Sequence, residues 1–259
     1  MTGVLAGRTA VVTGASRGTG LAIALALAAE GARVGLLARP GPHLDSAASR
    51  LGAAGLPLPA DLCDPAAVRA AFALVHSEFG GLDILVNNAA MAEPHLVEEA
   101  TDAELAREVG TNLLGPLYTT REAVPLLRAS RSPHLVNLSS ESSADPFPYL
   151  LVYAATKAAL ERLTEGLAHE LRPDGIRCTL LKVGRTETTF KDAWDPERLR
   201  RAVLAWEEGG FRARVSGSAA QPPERVAEAV LFAVTREGGS VIGELSVRSY
   251  PDEFLERQP

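Results

Sequence analysis

Thr9-Ala10-Val11-Val12-Thr13-Gly14-Ala15-Ser16-Arg17-Gly18-Thr19-Gly20 is the stretch on which the fold turns. Residues 9–13 form a short apolar and β-branched run, the pattern of a strand buried on both faces. Three glycines follow, and then Leu21–Glu30, rich in Ala and Leu, predicts a helix. A glycine turn of this kind lets a ligand approach the backbone closely. The following helix offers free N–H groups and positive dipole character to a phosphate. The spacing is G-x-x-x-G-x-G rather than G-x-G-x-x-G, and no Gly-Lys-Ser/Thr follows, so it is not a P-loop. A tight structural connection is the alternative reading of the turn by itself.

The alternation continues outward from this start. Arg33–Ala38 reads as a strand, and Leu58-Pro59-Ala60 closes a third, followed by Asp61. Ala66–Phe79 reads as a helix, with Asp64 as its cap and Pro65 in its first turn. Asp83–Val86, His134–Leu138, Ile176–Val183 and Ser240–Val247 read as strands. Asp102–Ala129 is helical with a break near Gly115-Pro116, and Tyr153–Leu171 and Pro223–Thr235 are helices. Seven strands alternating with helices imply an α/β fold, a doubly wound seven-stranded parallel sheet with helices on both faces. Residues 1–259 are read as a single Rossmann-type domain, and such sheets bind ligands beyond the carboxyl ends of their strands.

One segment departs from the pattern. Residues 186–222 hold Trp194, Trp206 and Phe211 and then the Gly/Ser/Arg-rich run Gly209–Ala220. A helix near Pro196–Glu208 with a flexible loop after it is expected, placed as a lid over the site. A surface excursion with a hydrophobic foot is the alternative.

Composition narrows the function classes. The 259 residues are 46% hydrophobic and 22% charged, with a net charge of −6. That balance and the absence of a basic run argue against nucleic acid and against an anionic membrane surface. The longest apolar run, near Leu21–Ala29, is too short to span a bilayer, and the first eight residues lack a signal-peptide pattern, so a cytoplasmic protein is expected. Cys63 and Cys178 are read as two buried, reduced thiols. Neither they nor the five histidines make a metal-ligand spacing, so no metal is expected. His95 is read as a surface histidine, with substrate contact as the alternative.

The end of the second strand bears on the cofactor. In NAD-binding sheets an acidic residue there holds the ribose hydroxyls. Here the strand ends Leu37-Ala38-Arg39. An arginine attracts a 2′-phosphate that a carboxylate would repel, and Arg17 in the glycine turn can reach the same group, so NADP(H) is expected. Asp61 is a candidate acceptor for the adenine amine or else a turn aspartate.

Tyr153-Ala154-Ala155-Thr156-Lys157 places a phenol and an ammonium one turn apart on a predicted helix, about 6 Å along its axis. Ser140 follows the strand Leu135–Leu138 and can converge on the same point. To exchange protons near neutrality a tyrosine must fall from near 10 to about 7, about 4 kcal/mol. An exposed ion pair gives only about 0–1 kcal/mol. Lys157 must therefore act in a desolvated pocket, helped by an oxidised nicotinamide. Ser140 is suited to hydrogen-bond a substrate oxygen where charge develops.

With these motifs in order, the chain resembles the short-chain dehydrogenase/reductase family over essentially its whole length. The matching residues are Thr13–Gly20, Asn87-Asn88-Ala89-Ala90, Asn112, Ser140, and Tyr153 with Lys157. The resemblance implies that Tyr153 is the general acid, that Lys157 lowers its pKa and binds the nicotinamide ribose, that Ser140 orients the carbonyl, and that Asn112 holds a water in a proton relay. It implies a cofactor surface of Gly14, Ser16, Arg17, Gly18, Thr19, Gly20, Arg39, Asp61, Leu62, Asn88, Ala89, Gly184, Thr186 and Thr188, shared with Tyr153 and Lys157. It also implies a homodimer or homotetramer.

Two positions depart from the family pattern. Ala90 stands for a glycine, and Val183-Gly184 for Pro-Gly. Lys182 adds an unexpected charge at a strand end. The expected activity is NADP(H)-dependent interconversion of a carbonyl and an alcohol, as a ketone or aldehyde reductase acting on a small molecule. A non-catalytic NADP(H)-binding sensor or scaffold, and an enoyl reductase or epimerase on the same scaffold, are the alternatives. Glu93, Glu141 and Asp145 are read as solvated charges, with recognition of a cationic or hydroxyl-rich substrate as the other reading.

Overall fold

The computed structural model describes residues 3–211, 220–236 and 239–249. Within them, strands β1 (Thr9–Thr13), β2 (Arg33–Ala38), β3 (Gly55–Pro59), β4 (Ile84–Asn87), β5 (His134–Ser140), β6 (Arg177–Val183) and β7 (Glu244–Val247) form one sheet. Its order is β3-β2-β1-β4-β5-β6-β7 and every pairing is parallel. The order reverses between β1 and β4, which leaves a crevice at their carboxyl ends. In register, Val12 lies between Leu36 and Val86.

Parallel strands need crossovers, and eight helices supply the layers: α1 (Gly18–Ala29), α2 (Pro42–Leu51), α3 (Pro65–Phe79), α4 (Asp102–Val109), α5 (Gly115–Leu127), α6 (Leu151–Glu170), α7 (Pro196–Glu208) and α8 (Pro223–Val234) are the helices among the described residues. The period of two divides each strand between two cores. Ala10, Val12, Leu36, Ile84, Val86 and Leu181 pack with residues of α1, α2 and α8. Val11, Leu37, Leu58, Leu85 and Leu135 pack with residues of α3, α5 and α6. The sheet edges are protected differently. β3 carries Pro57 and Pro59, which cannot donate to a further strand, and β7 is four residues long with alternating exposure.

The helix boundaries follow local chemistry. Asp64 caps α3 by accepting from the N–H groups of Ala66 and Ala67, with Pro65 in the first turn as expected. Thr101 and Glu104 form a reciprocal capping box on α4. The break expected at Gly115-Pro116 lies elsewhere. Gly110–Leu114 is a π turn, in which the Gly115 N–H reaches back to the Gly110 carbonyl, and α5 continues through Pro116. Pro116 lacks the N–H that an α-helix would direct at Asn112, and the bulge absorbs the loss. The expectation of two buried thiols is corrected as well, because Cys178 is buried but Cys63 is exposed. No helix among the described residues is long and apolar enough to cross a membrane.

Candidate active site

The glycine turn closes against the neighbouring strand. Gly14 has φ +66, and a side chain there would meet Ala89 Cα at 2.9 Å. A side chain on Gly20 would collide with the Gly14 carbonyl and the Asn88 amide. Asn88 Nδ2 donates to the Thr13 carbonyl at 2.8 Å, and the Asn88 and Ala89 N–H groups both donate to Thr13 Oγ1 at 3.0 Å. The ends of β1 and β4 are therefore tied by the residues expected to meet a cofactor. α1 starts from Arg17 without a side-chain cap, so its first N–H groups face outward from the turn. This bare, glycine-lined cradle fits the pyrophosphate of a dinucleotide.

Around the cradle, Arg17 and Arg39 are exposed, and neither has an ion-pair partner among the described residues. Ser16 and Thr19 are partly exposed within the turn. Thr188 lies beside Gly18, where an added methyl would touch it at 3.5 Å. Asp61 stands two residues beyond β3 and holds a turn by accepting from the Cys63 N–H at 2.9 Å. Leu62 is buried in the core against Gly115, which leaves only its main chain for a ligand.

Beneath the site, a buried polar ladder fixes β4, β5, α5 and α6. Asn87 donates to Asn137 Oδ1 at 2.9 Å, Thr119 donates to Asn87 Oδ1 at 2.6 Å, and Asn137 donates to Thr164 Oγ1 at 2.9 Å. Each of these groups is almost fully buried and paired, so the ladder specifies register rather than leaving a penalty.

On this platform the four expected catalytic side chains gather at the end of β5 and the first turns of α6. Lys157 is 2% exposed and its Nζ donates to the Leu138 carbonyl at 2.8 Å. The same Nζ is 5.8 Å from the centre of the Tyr153 ring. Burial pushes the Lys157 ammonium down to about 8. Ser140 Oγ accepts from the Ser142 N–H and hydroxyl at 3.2 and 3.0 Å. Asn112, in the π turn, clamps the loop after β4: its Oδ1 accepts from the Met91 N–H and its Nδ2 donates to the Met91 carbonyl, both at 2.8 Å. Nδ2 also donates to Thr156 Oγ1 at 3.2 Å, which binds this loop to α6 beside Lys157.

The phenol does not fall toward neutrality in the protein alone. Burial raises Tyr153 to about 12, the carboxyls of Glu108 and Glu141 add to this, and only Ser140 opposes it. Glu108 is a site residue that the sequence motifs do not point to. It is 1% exposed, one helical turn before Asn112, and burial with the nearby Glu93 lifts its carboxyl to about 8. Its position on the face shared with Leu105 and Asn112 is the sequence signal that marks it as inward. His95, read as a surface residue, is instead 3% exposed, and its main-chain N–H donates to the Tyr149 carbonyl at 3.0 Å. Tyr149 holds φ +68, a left-handed conformation that costs about 1–3 kcal/mol outside glycine.

The described part of the segment 186–222 packs against Tyr153. Phe190 packs on Tyr153 with ring centres 5.7 Å apart, and Trp194 packs edge-on against Phe190 at 5.9 Å. α7 has the expected boundaries, with Asp195 capping it through the Arg198 N–H. Trp206 Nε1 donates to the Pro148 carbonyl at 2.6 Å, and Arg198 and Arg201 pair with Glu104 and Glu99 at 2.6 and 2.5 Å. The base of the segment is pinned, since Thr186 bridges to Gln221 and its hydroxyl donates to the Gly184 carbonyl at 2.9 Å. The Gly209–Ala220 run lies outside the described residues from 212 to 219.

Nothing in the structure explains Ala90 or Val183, whereas Gly184, which keeps the family glycine, has a local reason: a side chain there would meet Arg248 Cβ at 2.8 Å. Lys182 is neutralised by Glu161 at 3.3 Å and Glu244 at 3.1 Å, and Glu161 in turn accepts from Ser139 at 2.7 Å. Glu93 pairs with Arg107. A cleft of about 500 Å³ opens on this side, lined by Glu141, Phe147, Gly184, Arg185 and Arg248, and neither Tyr153 nor Lys157 reaches it.

A profile described as short chain dehydrogenase matches residues 8–199. An uncharacterised oxidoreductase of Staphylococcus aureus strain MW2 is 31% identical over 95% of this chain and 98% of its own length. The crystal structure of a 3-ketoacyl-(acyl-carrier-protein) reductase from Brucella melitensis complexed with NADH superposes with a TM-score of 0.83 at 30% identity, covering 94% of this chain and 98% of that one. A short chain dehydrogenase from Burkholderia cenocepacia J2315 in complex with NADP gives 0.81 at 30% identity, covering 95% and 97%. With the profile spanning most of the sequence and the sheet order, cradle and Tyr–Lys turn all in place, this chain belongs to the short chain dehydrogenase family.

Proposed function

We propose that this protein is an oxidoreductase that interconverts a carbonyl and an alcohol with NADP(H), working chiefly as a ketone or aldehyde reductase. The observation that carries the reading is the meeting of Ser140, Tyr153 and Lys157 at the carboxyl end of β5, beside the glycine cradle of β1. The cofactor supplies the hydride when bound. The cradle of Gly14, Gly18 and Gly20 with the start of α1 suits its pyrophosphate, and Thr188 stands at the edge of that turn. The exposed Arg17 and Arg39, with no carboxylate at the end of β2, favour a 2′-phosphate. Related structures carry either NADH or NADP, so those two arginines and not the fold decide the preference.

In reduction, Tyr153 gives its hydroxyl proton to the substrate oxygen as that oxygen gains charge. With the phenol raised to about 12 it holds its proton at neutral pH, and an alkoxide is a still stronger base, so transfer runs from tyrosine to product. The phenolate left behind is stabilised by the Lys157 ammonium and the Ser140 hydroxyl, then reprotonated from solvent. Asn112 keeps the Met91 loop and Thr156 fixed around this exchange. The aromatic lid keeps water from the developing charge.

The test is NADPH consumption over a panel of ketones, aldehydes and quinones. Turnover of one or more carbonyls with alcohol as product supports the reading. NADPH binding without consumption of any panel member favours a non-catalytic binder, and reduction at a carbon–carbon double bond favours an enoyl reductase.

A further inference from the structure

Three buried polar atoms near Tyr153 lack a hydrogen-bond partner: Oε2 of Glu108, Nδ1 of His95 and Nε1 of Trp194. Their residues are 1%, 3% and 7% exposed. Buried polar groups in native proteins are nearly always paired, because each unpaired one costs about 1–3 kcal/mol. These three come from separate elements around the aromatic cluster that includes Tyr149, Tyr153, Phe190 and Trp194. Glu108 stands on α4 and acts electrostatically on the Tyr153 phenol. Trp194 reaches Tyr153 through Phe190. His95 stands on the loop clamped by Asn112 and is tied to the strained Tyr149, four residues before Tyr153.

The reacting carbonyl accounts for Ser140 and Tyr153 but leaves these three unused. Given the reductase reading above, on which this rests, we infer that Glu108 and Trp194 form a second polar anchor in the substrate site, so that the preferred substrate carries, beside the reacting carbonyl, a second oxygen able to accept hydrogen bonds. The acceptor character follows from the donors. An indole N–H can only donate. The Glu108 carboxyl lacks a close cation of its own, since Arg107 is already paired with Glu93 and Arg198 with Glu104. Facing it are Glu93 from the loop after β4, Glu104 and Arg107 from α4, and Tyr153 from α6, a set that disfavours a second negative charge. It therefore holds a proton and donates. The substrate class is a dicarbonyl or hydroxyketone, set apart from simple ketones by that second oxygen.

The experiment compares kcat/KM with NADPH for acetylacetone against methyl propyl ketone, and for acetonylacetone against methyl butyl ketone, in the wild type, Glu108→Leu, Glu108→Gln and Trp194→Phe. The wild type is expected to favour the diketone by about tenfold or more in at least one pair. Glu108→Leu and Trp194→Phe should each lower that ratio severalfold, with the loss in KM of the diketone, while Glu108→Gln, which keeps a donor, should retain most of it. Thermal midpoints at or above wild type for Glu108→Leu would show that the loss is not unfolding, because an apolar side chain of similar size relieves a buried, unpaired carboxyl. A diketone ratio that is unchanged in Glu108→Leu and Trp194→Phe overturns the anchor and leaves water as the partner of these groups. If no ketone of either kind is consumed while NADPH still binds, the reductase reading itself fails, and the anchor falls with it.

Discussion

The Lys157 ammonium donates to the Leu138 carbonyl at 2.8 Å, with its Nζ 5.8 Å from the centre of the Tyr153 ring. One hydrogen bond thus fixes the cation of α6 to the end of β5 and holds it beneath the phenol. Replacing Lys157 by Met removes the charge while keeping the length of the side chain. Carbonyl reduction should fall by about a hundredfold or more, because the phenolate formed on proton transfer loses its counter-charge. The check is steady-state NADPH oxidation, with circular dichroism to confirm the fold. Activity within a few fold of wild type would place the needed charge elsewhere.

Asn112 grips Met91 at both its N–H and its carbonyl. Asn112→Ala strands two main-chain groups in a part-buried site and frees Thr156. A loss of about 2–4 kcal/mol in unfolding free energy is expected, read as a lower urea midpoint. Turnover should fall with it, since the loop from Met91 to His95 borders Tyr153. A variant as stable as wild type would mean that the loop is held by other contacts.

Glu108 sets a pH dependence of stability. Its folded carboxyl is raised to about 8 from 4.5, so between these values the folded chain binds more protons than the unfolded one. Stability from this group is fully retained at low pH and is lost as pH rises from about 4.5 through 8. Urea unfolding at pH 5 and pH 8 should show wild type losing about 2–4 kcal/mol more than Glu108→Gln over that interval. His134 acts with the opposite sign. Burial holds its imidazole neutral down to about 3, so its contribution is lost as pH falls below 6.5. Parallel pH profiles for wild type and Glu108→Gln would contradict the buried carboxyl.

Arg39 is exposed at the end of β2 without an ion-pair partner among the described residues. Arg39→Asp should weaken NADPH binding by about tenfold or more and improve use of NADH, measured as kcat/KM for each cofactor. Equal use of both cofactors by the wild type would contradict the assignment.

Much of the sheet is legible because strands covered on both faces read as unbroken apolar runs. The boundaries of β1 and β2, and those of α7, come out as expected. Asp64-Pro65 marks the start of α3 through a cap that is visible in the sequence itself. Where the signal is tertiary, the sequence does not carry it. α2, Pro-His-Leu-Asp-Ser-Ala-Ala-Ser-Arg-Leu, escapes notice because only Leu44, Ala47 and Leu51 of its residues are buried. The π turn reads as a proline break, since Gly115-Pro116 is a louder local signal than the bulge that carries Asn112. The catalytic candidates stand out from several motifs in order and not from any one spacing, whereas Glu108 carries only the signal of its place one turn before Asn112 and His95 carries none. A glutamate on a short polar helix and a histidine after a proline look solvated, yet both are buried in the fold.

The central claim is that Tyr153 passes the proton. It is tested most directly by Tyr153→Phe, which removes one oxygen and leaves the ring against Phe190. Measured side by side, NADPH binding by fluorescence titration should stay within about threefold of wild type, and turnover of the best carbonyl substrate should fall by about a hundredfold or more. Turnover by Tyr153→Phe at the wild-type rate, with the cofactor bound as tightly, would contradict the account.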